Sequence, residues 1–140
     1  AGALIMNFVI VEIPGRPVPK ARARRSPGTG HWYTPKATQV AEETIRAEMR
    51  QACPTPLQEP LELSVEFIFR RPDSWSKARR DAVDEGLENP WHPGRPDLDN
   101  LVKTVKDAGN RILWNDDAQI VKLEAHKCYG AENLTVINVW

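Results

Sequence analysis

Residues 94–119, GRPDLDNLVKTVKDAGNRILWNDDAQ, organise this chain because they gather carboxylates, a lysine and a helix start within a few turns. Asp97 follows Pro96 in the position of an N-cap, where a carboxylate can accept a backbone N–H of the first turn and suits the helix dipole. Apolar residues then recur with helical spacing, at Leu98, Leu101, Val102, Val105, Ala108 and Ile112. The stretch therefore predicts a helix with one face in the core.

The polar side of this predicted helix carries an acid and a base. Asp99 and Lys103 are four residues apart, and Lys106 and Asn110 continue the same stripe. Such a stripe is either a solvated helix face or a face that carries chemistry.

A second acidic pair follows the helix. Gly109 is predicted as the C-cap, and Asn115, Asp116 and Asp117 form a turn before a β-rich run. Carboxylates that lie close together repel one another unless a cation neutralises them, and oxygen-only ligands favour Mg²⁺ or Mn²⁺ over zinc. Asp116 is either a further ligand or a turn residue.

The motif has two other interpretations, a calcium-binding EF-hand loop and a capped surface helix. A calcium-binding EF-hand counted from Asp97 needs glycine and glutamate where this chain has Val102 and Ala108, so it is excluded. A D-x-D pair alone favours a helix cap on a surface helix, whereas the whole set of carboxylates with Lys103 favours the metal site.

The string RPDLDNLVKTVKDAG, followed by LWNDDAQIV, resembles the signature of the RusA family of Holliday junction resolvases. That resemblance implies a metal-dependent endodeoxyribonuclease with Asp97, Asp99 and Asp117 as its acidic site and Lys103 as a further essential residue. It also implies an α/β single domain that dimerises and uses Mg²⁺. A weaker likeness to the start of family members lies in PVPKARAR and WYTPKAT.

The charges of the chain are unevenly placed although the formal net charge is zero. No acid lies between Ile13 and Ala41, and a local excess of cations attracts phosphates even when the net charge is nil. The aromatic side chains of Trp32 and Tyr33 in this window either stack on unpaired bases or pack on the core. The predicted DNA contacts are Lys20, Arg22, Arg24 and Arg25, with Lys106 from the helix.

Composition and cysteine usage indicate which kind of protein this is. The 140 residues predict one domain, and 41% apolar with 27% charged residues is ordinary globular composition. Cys53 and Cys128 are interpreted as reduced thiols, and the scattered His31, His92 and His126 predict no zinc site. Without a membrane-spanning run or a signal peptide, we expect a soluble, cytoplasmic protein of a bacterium or phage.

Elsewhere the chain predicts the scaffold of the site. A buried strand is expected over 4–13, a ragged hairpin in the basic loop, a strand over 61–70, and a short surface helix within 72–88. The loop at 89–94 leads the chain to the Asp97 helix, and Trp91 or His92 could line the site. A helix begins at Thr34 and Pro35 and ends near Ala52, and its apolar side is marked by Ala37, Val40, Ala41, Ile45, Ala47 and Met49.

Strands over 120–129 and 134–140, joined by a hairpin at 130–133, complete the prediction. The fold class is α+β: one mixed or largely antiparallel sheet of about four strands with helices on one face. The predicted function is Mg²⁺-dependent hydrolysis of four-way DNA by a homodimer. The alternatives are a module that binds branched DNA without cutting it, a nuclease for flaps or forks, and a structural or adaptor protein.

Overall fold

The computed structural model describes residues 8–140, and the order of elements along the chain agrees with the sequence pattern. The three helices within these residues are α1 (Lys36–Ala52), α2 (Lys77–Asp84) and α3 (Leu98–Gly109). The strands are β1 (Val9–Pro14), β2 (Arg24–Arg25), β3 (Trp32–Tyr33), β4 (Leu61–Arg70), β5 (Ile120–Gly130) and β6 (Leu134–Val139). A turn of 3₁₀ helix, Asp117–Gln119, directly precedes β5.

Four strands form one mixed sheet in the order β1-β6-β4-β5. The β1–β6 and β6–β4 pairs are antiparallel, and the β4–β5 pair is parallel. β2 and β3 form a separate antiparallel ribbon, which confirms the ragged hairpin in the basic loop. The predicted α+β class is therefore confirmed, with the sheet mixed rather than wholly antiparallel.

β4 lies at the centre of the core. It has a hydrogen-bonded strand on both sides, and buried residues alternate with half-buried ones along its length. Its core-facing row is almost completely buried and consists of Leu61, Leu63, Val65, Phe67 and Phe69. α1 packs against α3 and β1, and α3 also contacts β5, so both helices cover this one face of the sheet. α3 is thereby fixed above β5, where the candidate site lies.

The predicted hairpin between β5 and β6 is wrong. Both strands pair with β4, one on each side of it, and the chain between them crosses over the end of β4. Arg70 N donates to Asn133 Oδ1 at 2.9 Å and Arg71 N donates to Gly130 O at 2.9 Å, which closes the turn over that end. Alternating hydrophobicity marks a strand but does not say which strand lies beside it.

The buried side of α1 also differs from the prediction. Thr38, Glu42, Ile45 and Met49 are buried, whereas Val40 is half exposed. Polar side chains can turn inward here because each has a partner: Glu42 pairs with Lys20, and Thr38 Oγ1 accepts from Ala21 N at 3.2 Å. Compared with the predicted face, the buried face of α1 is turned toward the basic segment that precedes the helix.

The first strand begins at Val9 among the described residues, and its outward residues are exposed, so it is half buried rather than fully buried. β1 is an edge strand, which explains the exposure. The predicted start at Leu4 lies outside the described residues. No helix within 8–140 has both the length and the apolar character needed to cross a bilayer.

Candidate active site

The N-terminus of α3 presents its acidic side chains without using them as caps. Asp97 is the N-cap residue, and its carbonyl accepts from Leu101 N at 3.1 Å, but its carboxylate makes no capping hydrogen bond. Asp99 accepts a hydrogen bond from its neighbour Asn100 N at 3.0 Å. The predicted capping contact of Asp97 is therefore absent, which leaves the exposed carboxylate available to another partner.

A cleft of about 630 Å³ lies between α3 and the start of β5. Asp99 and Lys103 line it from the helix, as the four-residue spacing predicts, and Asp117 lines it from the 3₁₀ turn. Leu123 and Ala125 of β5 complete the wall. Lys106 and Asp107 also line the cleft, which thus holds three carboxylates and two ammonium groups from two separate parts of the sequence.

Asp97 lies in an adjoining groove of about 430 Å³ on the other side of the helix start. Arg16, Lys20 and Arg95 line the same groove, so the carboxylate has cationic neighbours. Asn100 lines both the groove and the cleft. The fold therefore brings Asp99, Lys103 and Asp117 together in the cleft and places Asp97 in the groove next to it.

The loop that leads into Asp97 is held by a residue that the sequence reasoning missed. Lys127 Nζ donates to Gly94 O at 2.6 Å and to Pro96 O at 2.8 Å. Lys127 lies opposite the buried Phe67 in the β4–β5 register, so it projects from the core face of the sheet. A lysine at a core-facing position of a predicted strand was the available signal.

Comparisons with known proteins identify the family of this chain. The family model described as Endodeoxyribonuclease RusA matches residues 14–140. The chain belongs to the RusA endodeoxyribonuclease family. It is 31% identical over 132 residues to the "Uncharacterized protein YqaN" of Bacillus subtilis (strain 168), covering 91% of this chain and 92% of that protein. It is 34% identical over 83 residues to "Crossover junction endodeoxyribonuclease rusA" of Lactococcus phage r1t, covering 57% of this chain and 53% of that protein.

In this RusA-family chain Asp116 has a structural role. Its side chain accepts from Ala118 N at 2.9 Å, and the Gln119 side chain accepts from Asp116 N at 3.0 Å. This reciprocal capping box fixes the turn that carries Asp117. Asp116 does not line the cleft of Asp99 and Asp117.

The basic segment of the protein divides into a half-buried part and an exposed part. Lys20 pairs with Glu42 and, at 3.1 Å, with Asp107. Burial alone would lower the pKa of the Lys20 ammonium group, but its hydrogen bonds to Glu42 and Asp107 raise that pKa above its ordinary value overall. Lys20 N also donates to Asn100 O at 2.9 Å, which ties the segment to the start of α3.

Beyond Lys20 the segment is open to solvent. Arg22, Arg24 and Arg25 are exposed, and Trp32 and Tyr33 on the paired strand are 70% and 46% exposed. The alternative in which these two rings pack on the core is therefore wrong. Each face of the β2–β3 ribbon carries one arginine beside one aromatic ring, because Arg24 pairs with Tyr33, Arg25 pairs with Trp32, and neighbouring residues of a strand point to opposite faces.

Trp91 and His92 do not line the cleft or the groove. His92 stacks on Phe69 with ring centroids 4.2 Å apart, and Trp91 meets the edge of the His126 ring at 5.5 Å. Neither side chain lines the site, because the loop at 90–92 lies along β5 instead, where Tyr129 N donates to Pro90 O at 2.8 Å.

Proposed function

We propose that this RusA-family protein resolves four-way DNA junctions by divalent-metal-dependent hydrolysis of phosphodiester bonds. The observation that carries the proposal is the cleft lined by Asp99, Asp117 and Lys103, with Asp97 in the adjoining groove. Binding a polyanion gains nothing from exposed carboxylates, so this arrangement favours a nuclease over a module that only binds DNA.

The donor set suits Mg²⁺, with Mn²⁺ as a substitute. Asp97, Asp99 and Asp117 offer only carboxylate oxygens, and their exposed or half-buried positions allow water to complete the coordination shell. We propose that these three residues hold the metal. When bound, the metal polarises the phosphoryl oxygen and lowers the pKa of an attacking water.

The remaining polar groups of the cleft act on the phosphate and on the ligands. Lys103 lies one helical turn after Asp99, so its ammonium group can stabilise negative charge that develops on the phosphate in the transition state. Asn100 lines both sides of the helix start, and its backbone N–H, which donates to Asp99 Oδ1 at 3.0 Å, helps to orient that carboxylate. Lys127 holds the backbone that precedes Asp97.

A four-way junction requires two matched cuts, so we propose a two-fold homodimer with one cleft per protomer. The named phage relative is a crossover junction endodeoxyribonuclease, which favours the junction as the substrate. We place the activity in DNA recombination and repair, in the cytoplasm of a bacterium or of a phage-infected cell. The bacterial and phage sources of the relatives support that setting.

The exposed arginines of the β2–β3 ribbon and the segment before it are proposed to contact the DNA backbone. Arg24→Ala should weaken junction binding and flatten the plot of log affinity against log salt by about one unit of slope, because one phosphate contact is lost. Lys77→Ala is the matched control, since it removes one exposed cation from α2, where Lys77 pairs with Asp81. An unchanged slope for the Arg24 variant would remove this residue from the interface.

Arg22 and Arg25, which are exposed, are also proposed to contact the DNA backbone. So is Lys106, which lines the cleft itself. Lys20 already has two carboxylate partners, so we assign its contribution to shaping the groove beside Asp97 rather than to a strong phosphate contact.

Lys127→Met should lower the cleavage rate by about 10- to 100-fold and raise the Mg²⁺ concentration needed for half-maximal rate. The methionine keeps the apolar stem, but it cannot hold the carbonyl groups of Gly94 and Pro96. The measurement is the cleavage rate across a Mg²⁺ titration, beside thermal unfolding. Lys122→Met is the control on the same strand, and a wild-type rate for the Lys127 variant would show that this anchor does not position Asp97.

A nuclease specific for flaps or forks is the nearest alternative. Equal concentrations of a four-way junction, a flap, a fork and a linear duplex should be compared for initial cleavage rate in Mg²⁺. We expect the junction to be cut fastest and the duplex slowest. A flap or fork cut faster than the junction would transfer the proposal to that substrate, and binding without any cutting would leave only the DNA-binding alternative.

A further inference from the structure

The far face of the sheet carries a second group of metal-ligating side chains. Glu66 of β4 and His126 of β5 are direct partners in the parallel register, and Cys128 lies two residues farther along β5 on the same face. The ligand atoms of these three residues all lie within 4.8 Å of one another. In the part of the chain from residue 8 to residue 140, no other three acids, histidines or cysteines meet so closely.

Two of the three distances within this group match those of a tetrahedral zinc site. The Cys128 Sγ atom lies 3.6 Å from Glu66 Oε1, and His126 Nε2 also lies 3.6 Å from Glu66 Oε1. Zinc bonds of about 2.0–2.3 Å at tetrahedral angles place neighbouring ligand atoms about 3.5 Å apart. The metal could therefore enter with small side-chain rotations and without movement of the strands.

The position of the group suits an exchangeable metal. Cys128 is 2% exposed, which protects the thiol, while Glu66 and His126 are half exposed and open the group to solvent. Burial, together with the nearby Glu66 carboxylate, raises the pKa of the Cys128 thiol to about 11, so the metal-free protein carries a neutral thiol there. A divalent cation that binds the sulfur displaces this proton to solvent.

We propose that Glu66, His126 and Cys128 form a zinc-type site with water as the fourth ligand. A set of thiolate, imidazole and carboxylate selects a borderline-soft divalent cation such as Zn²⁺, unlike the oxygen-only ligands of the nuclease cleft. The two sites lie on opposite faces of β5, because Ala125 lines the cleft whereas its neighbour His126 faces the other way.

The site would join β4 to β5. These strands form the parallel pair of the sheet, and β5 also carries part of the nuclease cleft. Metal bound only by the native arrangement stabilises the native state by mass action. We therefore expect zinc to raise the thermal stability of the protein without serving as the nuclease metal.

The test is a titration with Co²⁺ in the presence of excess Mg²⁺, which occupies the oxygen-only ligands. The wild-type protein should show sulfur-to-cobalt charge-transfer absorption that saturates at one Co²⁺ per chain and disappears when Zn²⁺ is added. Cys128→Ser should abolish this absorption. Cys53→Ser is the matched control and should leave it unchanged, because Cys53 lies outside the group.

His126→Gln provides a second variant that keeps the buried thiol and the fold, since the His126 side chain is half exposed. It should weaken Co²⁺ binding and remove the gain in melting temperature that Zn²⁺ gives the wild type. The proposal is overturned if the wild type shows no thiolate absorption at saturating Co²⁺. It is also overturned if the absorption persists in Cys128→Ser or is lost in Cys53→Ser. Failure of junction cleavage would not bear on this result, because the readout is independent of DNA.

Discussion

Asp99→Asn is expected to lower junction cleavage by more than about 100-fold while junction binding stays the same or becomes tighter. The carboxylate of Asp99 lines the cleft beside Lys103 and Asp117, and asparagine removes its charge without changing its size. Less negative charge near the DNA phosphates favours binding, whereas the proposed metal would lose a ligand. The measurements are single-turnover cleavage in Mg²⁺ and a gel-shift titration in the presence of a chelator.

Asp116→Asn is the matched control for that experiment. Asparagine is also a good N-cap, so the turn before Asp117 should survive and cleavage should stay within a few-fold of wild type. If Asp99→Asn cuts at the wild-type rate, the assignment of the cleft is wrong. If Asp116→Asn is as inactive as Asp99→Asn, Asp116 is a metal ligand rather than a cap.

Gly109→Ala is expected to destabilise the protein by about 3 kcal/mol or more. A Cβ atom at this position would lie 2.2 Å from Cζ2 and 2.4 Å from Cη2 of Trp114. Trp114 is fully buried, so its ring has no free space into which it can move. The measurement is urea unfolding of the variant and of wild type, followed by fluorescence.

Gly28→Ala is the control, because a Cβ atom there meets nothing within 4 Å and should change stability by less than about 0.5 kcal/mol. The result also distinguishes two roles for Gly109. The sequence predicted a C-cap, but Gly109 is the last residue of α3 and Asn110 is the cap, so close packing explains the glycine. An unchanged unfolding free energy for Gly109→Ala would contradict this packing.

Much of the site could be predicted because its residues lie on regular elements. The apolar spacing of 98–112 predicted α3 and placed Asp99 beside Lys103. In the structure α3 is present, and both side chains line the same cleft. The alternation of 61–70 predicted β4 and its core face. In each case local periodicity alone fixes which side chains share a face.

The features that were missed depend on contacts between distant parts of the chain. The position of β6 beside β4 instead of β5 depends on strand pairing, which alternation does not specify. Lys127 anchors the loop before Asp97, some thirty residues earlier in the sequence, and the buried face of α1 depends on Lys20 reaching Glu42. The group of Glu66, His126 and Cys128 exists only through the β4–β5 register.

We propose that the cleft of Asp99, Asp117 and Lys103 cuts four-way DNA with the help of a divalent metal. The most direct measurement follows a four-way junction labelled on each strand in turn, incubated with wild-type protein in Mg²⁺ and in a chelator, and maps every cut. We predict paired nicks at symmetric positions on two opposed strands, in Mg²⁺ only. A junction that is bound but remains intact in both Mg²⁺ and Mn²⁺, or that is cut equally well in the chelator, would contradict the account.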